Sequence, residues 1–102
     1  LEKELKENIL GVLEQVIDPE LGVDIVNLGL VYDVDMDDEG RTIITMTLTS
    51  MGCPLAGVIV EQVKNFLEDL PEVKDPQVNI VWNPPWTKDR MSRYAKIALG
   101  IQ

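Results

Sequence analysis

One thiol carries most of the chemistry available to this chain of 102 residues. Cys53, its single cysteine, sits in the run Thr49-Ser50-Met51-Gly52-Cys53-Pro54, where an alternating strand pattern gives way to a helical one. A proline at 54 holds Cys53 extended and suits the first position of a helix, so the sequence places Cys53 at the N-cap of the helix that follows. The amides of Leu55 and Ala56 and the positive end of the helix dipole then favour thiolate over thiol. That makes the sulfur a better nucleophile and a better metal ligand. Gly52 lets the backbone turn sharply and lets a second molecule approach. The plainer reading is a compact buried cysteine. Such a residue needs no flanking glycine and proline, whereas strand-to-helix junctions lie at sheet rims where α/β ligand sites form.

What else could join Cys53 is limited. The chain has 18 acids, 9 bases and no histidine, so the commonest general base and metal ligand is missing. One thiolate cannot fill the four positions of an ordinary iron-sulfur cluster, so any metal must be shared with carboxylates, a second subunit, a partner protein or a small thiol. Asp18, Glu20 and Asp24 could supply hard oxygen ligands or a base, although acids in turns are more commonly solvated. A net charge of −9 argues against nucleic acid or an anionic membrane as partner. A single cysteine excludes an internal disulfide, and no run suits a signal peptide or membrane span, so a cytoplasmic setting is expected.

The elements that must position these residues follow from periodicity. One domain over 1–102 is expected from length and composition. Leu5, Ile9, Val12, Leu13 and Val16 mark an amphipathic helix ended by Asp18-Pro19. Glu20 to Asn27 reads as an ordered loop. Leu28, Leu30, Tyr32, Val34 and Met36 alternate with polar and small residues as one strand, and Asp37 to Arg41 forms a turn. In the returning strand Ile44, Met46 and Leu48 face one way and Ile43, Thr45, Thr47 and Thr49 the other, with Thr45 and Thr47 on an open face or under a partner. From Pro54, the positions Leu55, Ile59, Val63, Phe66 and Leu70 make a core-facing helix stopped by Pro71. Val78, Ile80 and Trp82 form a third strand, parallel to the second by the handedness of strand-helix-strand crossovers. Asn83-Pro84-Pro85-Trp86 is stiff and extended. Thr87 then caps a last helix through Met91 to Gly100, with Trp86 and Met91 as its hydrophobic staple. The expected architecture is α/β in two layers, a small mixed three-stranded sheet with helices mainly on one face, in the order α-β-β-α-β-α. If the second and third strands run parallel, their ends open onto one edge, where Cys53, Trp86 and Ser92 could line a shallow site.

Three segments together resemble a known family. They are Asp18-Pro19-Glu20-Leu21-Gly22-Val23-Asp24-Ile25-Val26-Asn27-Leu28-Gly29-Leu30-Val31-Tyr32, then Thr49-Ser50-Met51-Gly52-Cys53-Pro54-Leu55-Ala56, then Pro84-Pro85-Trp86 with Met91-Ser92 beyond. Each is weak alone, but their order and spacing are similar to those of metal-sulfur cluster assembly factors related to SufT and to phenylacetate-degradation protein D. The resemblance implies an accessory factor in iron-sulfur cluster assembly or delivery rather than an enzyme. It implies Cys53 as the motif cysteine, with Asp18, Glu20 and the Pro-Pro-Trp segment around it. The candidate binding set is therefore Cys53, Gly52, Thr49, Asp18, Glu20, Pro85, Trp86 and Ser92, with Cys53 as metal ligand. Iron or an iron-sulfur cluster would be held transiently and shared. The implied partners are iron-sulfur carriers or scaffolds and apoprotein targets, and a homodimer could bring two Cys53 residues together. The alternative is a protein-binding adaptor that recruits such partners through the open sheet face and the Trp86 junction, with Cys53 structural. A thiol enzyme is disfavoured because no histidine base and no Cys-X-X-Cys partner exist in the chain.

Overall fold

The computed structural model describes residues 3–19, 21–49 and 56–100. Helix α1 (Lys3–Leu13) is followed by strands β1 (Val31–Met36) and β2 (Arg41–Met46), helix α2 (Ala56–Glu68), strand β3 (Lys74–Ile80), a single 3-10 turn (Lys88–Arg90) and helix α3 (Arg93–Ala98). The sheet has the order β1-β2-β3, with β1 antiparallel and β3 parallel to the central β2. This is the mixed two-layer arrangement expected from the sequence.

The buried side chains follow the strand period. Val34 on β1 and Thr42, Ile44 and Met46 on β2 face the helices, while Asp33, Asp35, Ile43, Gln77 and Asn79 remain on the open face. Helix α2 packs on β3, and α1 packs against α2. Their buried positions are Ile9 and Leu13 on α1 and Ile59, Val63 and Leu67 on α2. The α2 stripe runs at intervals of four residues, so Leu67 takes the buried place that the sequence assigns to Phe66, which packs at the margin. Helix α1 ends at Leu13, earlier than Asp18-Pro19. Gln15 N and Val16 N donate to carbonyls three residues back, a tighter winding that still carries Val16 into the core.

Two irregularities reshape the sheet. Val31 lies opposite Met46 and Asp33 opposite Thr45, so Tyr32 is an inserted residue in β1 and the simple alternation from Leu28 to Met36 breaks there. Its hydroxyl donates to the Pro84 carbonyl at 2.8 Å, and the Arg90 guanidinium lies over its ring at 4.6 Å. On β3 the register slips between Lys74 and Gln77, where Asp75 adopts φ 45 and accepts a bond from Gln77 Nε2.

Beyond Met46 the threonines part company. Thr45 is half-buried, but Thr47, expected on an open face, is buried. Its N–H donates to the Leu30 carbonyl at 2.8 Å, and the segment leaving β3 covers its side chain. The Thr47 hydroxyl has no hydrogen-bond partner among the described residues.

Three outcomes follow from this architecture. Thr47→Val removes an unpaired buried hydroxyl while keeping the shape, and urea unfolding should show a gain of about 1 kcal/mol. Gly29 has φ 77, and a Cβ there would lie 2.7 Å from the Arg90 carbonyl carbon. Gly22 has φ 73 with nothing within 4 Å. In the same assay Gly22→Ala should cost about 1 kcal/mol and Gly29→Ala clearly more, because the second substitution also pushes against backbone. At the β1-β2 turn some desolvation raises the Asp37 pKa, but the backbone N–H groups of Arg41 and Glu39 and the Arg41 guanidinium outweigh it and hold it below its ordinary value of 3.8. A depressed folded-state value stabilises above 3.8 and is lost as pH falls through the lower folded value. Thermal unfolding scans across that acid range should therefore show a shallower pH dependence for Asp37→Asn than for the native chain.

Candidate functional site

Parallel pairing of β2 and β3 brings the ends of both strands to one rim. Val81 N donates to the Met46 carbonyl at 2.9 Å, so the two chains leave the sheet side by side. There Thr49, Pro85 and Trp86, three of the residues singled out in the sequence, line one shallow cavity of about 140 Å³ with Thr47, Leu48 and Trp82. The indole N–H of Trp86 is spoken for, donating to the Leu28 carbonyl at 2.7 Å. Trp86 therefore presents ring surface to the cavity while its polar edge ties the rim to the strand entrance.

The staple expected between Trp86 and Met91 is not part of α3. Thr87 makes no side-chain cap and precedes only the 3-10 turn, whereas Ser92 is the N-cap of α3 and its Oγ accepts from Ala95 N. An extended Met91 between the two turns buries its side chain in the core instead. Ser92 does not line the cavity. Its N–H donates to the Asn27 carbonyl at 2.7 Å and its hydroxyl to Asn27 Oδ1 at 2.6 Å, so it fastens α3 to the loop before β1.

That loop carries Asp18 and Asp24, and these two are not solvated as acids in turns commonly are. Asp18 is 2% and Asp24 6% exposed. Asp18 Oδ1 accepts from Leu21 N at 3.1 Å, and its backbone pairs with Val23 and Gly22. Asp24 accepts from both Asn27 N, at 3.0 Å, and Asn27 Nδ2, at 2.8 Å. A bridge between Ile17 and Asp24 closes the loop into the ordered segment anticipated. The burial has a physical reason. Short acidic side chains replace sheet partners for backbone N–H groups that a Gly- and Pro-broken segment leaves open. Asn27, read from the sequence only as part of a motif, is the hub between Asp24 and Ser92. Its spacing of three from Asp24 is the local signal that could have pointed to it.

Glu20, Gly52 and Cys53 lie outside the described residues. Among the described residues no group of three or more Cys, Asp or Glu is placed to hold a metal ion. A wider hollow of about 460 Å³, lined by Gly29, Val31, Tyr32, Pro84 and Arg90, is larger than the rim cavity. It offers one cation and no soft ligand, so its size does not make it the better place for a thiophilic metal. No helix among the described residues is long and apolar enough to cross a membrane.

Comparison with known proteins converges. The family model described as iron-sulfur cluster assembly protein matches residues 6–80. The chain is 78% identical over 102 residues to the Fe-S protein maturation auxiliary factor YitW of Bacillus subtilis, covering 100% of both. It is 69% identical over 86 residues to the Fe-S protein maturation auxiliary factor SufT of Staphylococcus aureus, covering 84% of this chain and 98% of that one. A crystal structure of a domain of unknown function, DUF59, from Bacillus anthracis superposes with TM-score 0.93 at 60% identity, covering 99% of this chain and 96% of that one. With the family model spanning most of the chain and relatives this similar over their whole length, the protein belongs to the iron-sulfur cluster assembly family.

Proposed function

We propose that this protein is an auxiliary factor in the maturation of iron-sulfur proteins, in which Cys53 transiently ligates iron or a cluster, or engages a partner thiol, and passes the cargo on. The observation that carries the reading is the shared rim. Thr49 stands four residues before Cys53 in sequence and lines one cavity with Pro85 and Trp86. The cluster is cargo rather than a resident cofactor. One thiolate per chain leaves most coordination positions to a partner, and a site short of ligands releases what it holds, whereas four thiolates would retain it. Iron-sulfur carriers or scaffolds on one side and apoprotein targets on the other are the partners this reading requires. A reducing compartment such as the cytoplasm keeps the thiol available.

The rest of the rim supports transfer more than storage. Trp86, Trp82 and Pro85 give it an apolar wall that lowers the local dielectric around a thiolate-bound cargo. Asp18 and Asp24 are engaged by the loop's own backbone and by Asn27, so their first role is to hold the loop in shape.

Anaerobic reconstitution of the native chain and Cys53→Ser with ferrous iron and sulfide, counting both per chain, tests the ligand role. The native chain should retain iron and sulfide that Cys53→Ser loses. Equal contents would remove Cys53 as a ligand and leave the adaptor reading, in which the same sheet rim recruits partners without touching cargo. If Cys53 carries cargo, native chain but not Cys53→Ala should restore the activity of iron-sulfur enzymes in cells lacking the protein, whereas in the adaptor reading both should.

A further inference from the structure

Charge is distributed very unevenly along this chain. Residues 88–96 carry Lys88, Arg90, Arg93 and Lys96 against the single acid Asp89, while the remainder holds 17 acids and five bases. The ion pairs among the described residues are both made by Arg41 in the β1-β2 turn, so none of these four cations is neutralised by a described carboxylate. Arg90 is instead occupied with the Tyr32 ring.

Helix α3 turns this cluster into a face. Ala95 is its buried position, and at about 100° per residue the side facing away from Ala95 runs Lys96, Arg93, Ile97, Tyr94 in angular order. Tyr94 and Ile97 are 64% and 69% exposed, the two most exposed of the large apolar residues. Two cations and two uncovered apolar side chains therefore lie side by side, on a helix held in place by the Ser92 cap and its bonds to Asn27. Cations next to an apolar anchor suit an acidic partner that also has an apolar stripe.

The size and sign of the rest of the molecule narrow the occupant further. Seventeen acids against five bases repel a large acidic body once it extends beyond the cluster by more than about a Debye length, roughly 10 Å. A narrow segment stays inside the favourable field. A second copy of this chain is disfavoured for the same reason. Its acidic open face would also meet α3 head to tail, a contact that does not close on itself. We propose that the outer face of α3, exposed Arg93, Tyr94 and Ile97 with half-buried Lys96, docks an acidic amphipathic segment of a partner protein. None of these residues lines the rim cavity, and the inference stands whether or not Cys53 binds cargo.

The test is fluorescence anisotropy of the native chain with a labelled synthetic helix-forming peptide bearing a Glu/Asp face and a Leu/Phe face. Controls carry Lys for the acids or Ser for the apolar residues. The acidic amphipathic peptide should bind, both controls should bind at least about tenfold more weakly, and affinity should fall as salt rises from about 50 mM to about 500 mM. Arg93→Glu/Lys96→Glu should weaken binding at least about tenfold, and Tyr94→Ala/Ile97→Ala by a similar factor. Lys3→Glu/Lys64→Glu, with the same change in net charge on α1 and α2, should leave it within about twofold. Circular dichroism establishes that each variant is folded. The proposal is overturned if the Lys3/Lys64 variant weakens binding as much, or if the α3 variants bind like the native chain. It also falls if phosphatidylserine vesicles or polyuridylate bind more tightly than the peptide through the same residues, or if sedimentation shows self-association that Arg93→Glu/Lys96→Glu abolishes.

Discussion

The parallel ladder between β2 and β3 is the constraint on which the rest of the molecule depends. An antiparallel third strand would send the Pro-Pro-Trp segment to the far end of the sheet from Thr49. Parallel pairing instead sets the two exits next to each other, Met46 beside Ile80, and the bond from Val81 to Met46 carries the pairing one step past the strands. A parallel neighbour requires a crossover, and α2 supplies it while covering the sheet with Ile59, Val63 and Leu67. The same helix that makes the core thus also decides which loops can meet.

Around that ladder the hydrogen bonds show a division of labour. Asp24 and Ser92 spend their polar groups on Asn27, Asp18 accepts from the Leu21 N–H, and Trp86 spends its N–H on the Leu28 carbonyl. Polar residues that look like ligands in a one-dimensional reading are here the scaffold of a rim. In the proposed reading the soft chemistry is left to the Cys53 thiol, whose low ligand count suits a handover role. Membership in the iron-sulfur cluster assembly family, with relatives named as maturation auxiliary factors, points the same way.

Much of this was legible in the sequence, and the exceptions have identifiable causes. Element order, strand direction and the opening of the β2 and β3 ends onto one edge follow from periodicity and crossover handedness. Of Cys53, Trp86 and Ser92, expected there together, Trp86 lines the cavity, Ser92 does not, and Cys53 lies outside the described residues. The α3 boundary does not follow from periodicity, because Thr87 and Ser92 are equally good N-caps by type. Only the bonds from Asn27, sixty-five residues away, choose Ser92. The Tyr32 insertion is invisible locally, since Leu28 to Met36 alternates without a break until Pro84 and Arg90 draw the ring out of line. Thr47 shows the same limit: β2 alternation assigns it outward, and the chain returning from β3 covers it. Where long-range contacts decide, a single sequence holds the participants but not the pairing.

Tyr32 to Pro84, Trp86 to Leu28 and Ser92 to Asn27 join positions 52, 58 and 65 residues apart. All three stitch the loop ahead of β1, or the start of β1 itself, to the last fifth of the chain. Because a ribosome delivers the chain from its N-terminus, none of these stitches can be made until Pro84, Trp86 and Ser92 have emerged, and Cys53 precedes all three in the chain. The side of the rim made by Pro85 and Trp86 is therefore assembled late, so a chain stopped short of that segment carries the cysteine without it.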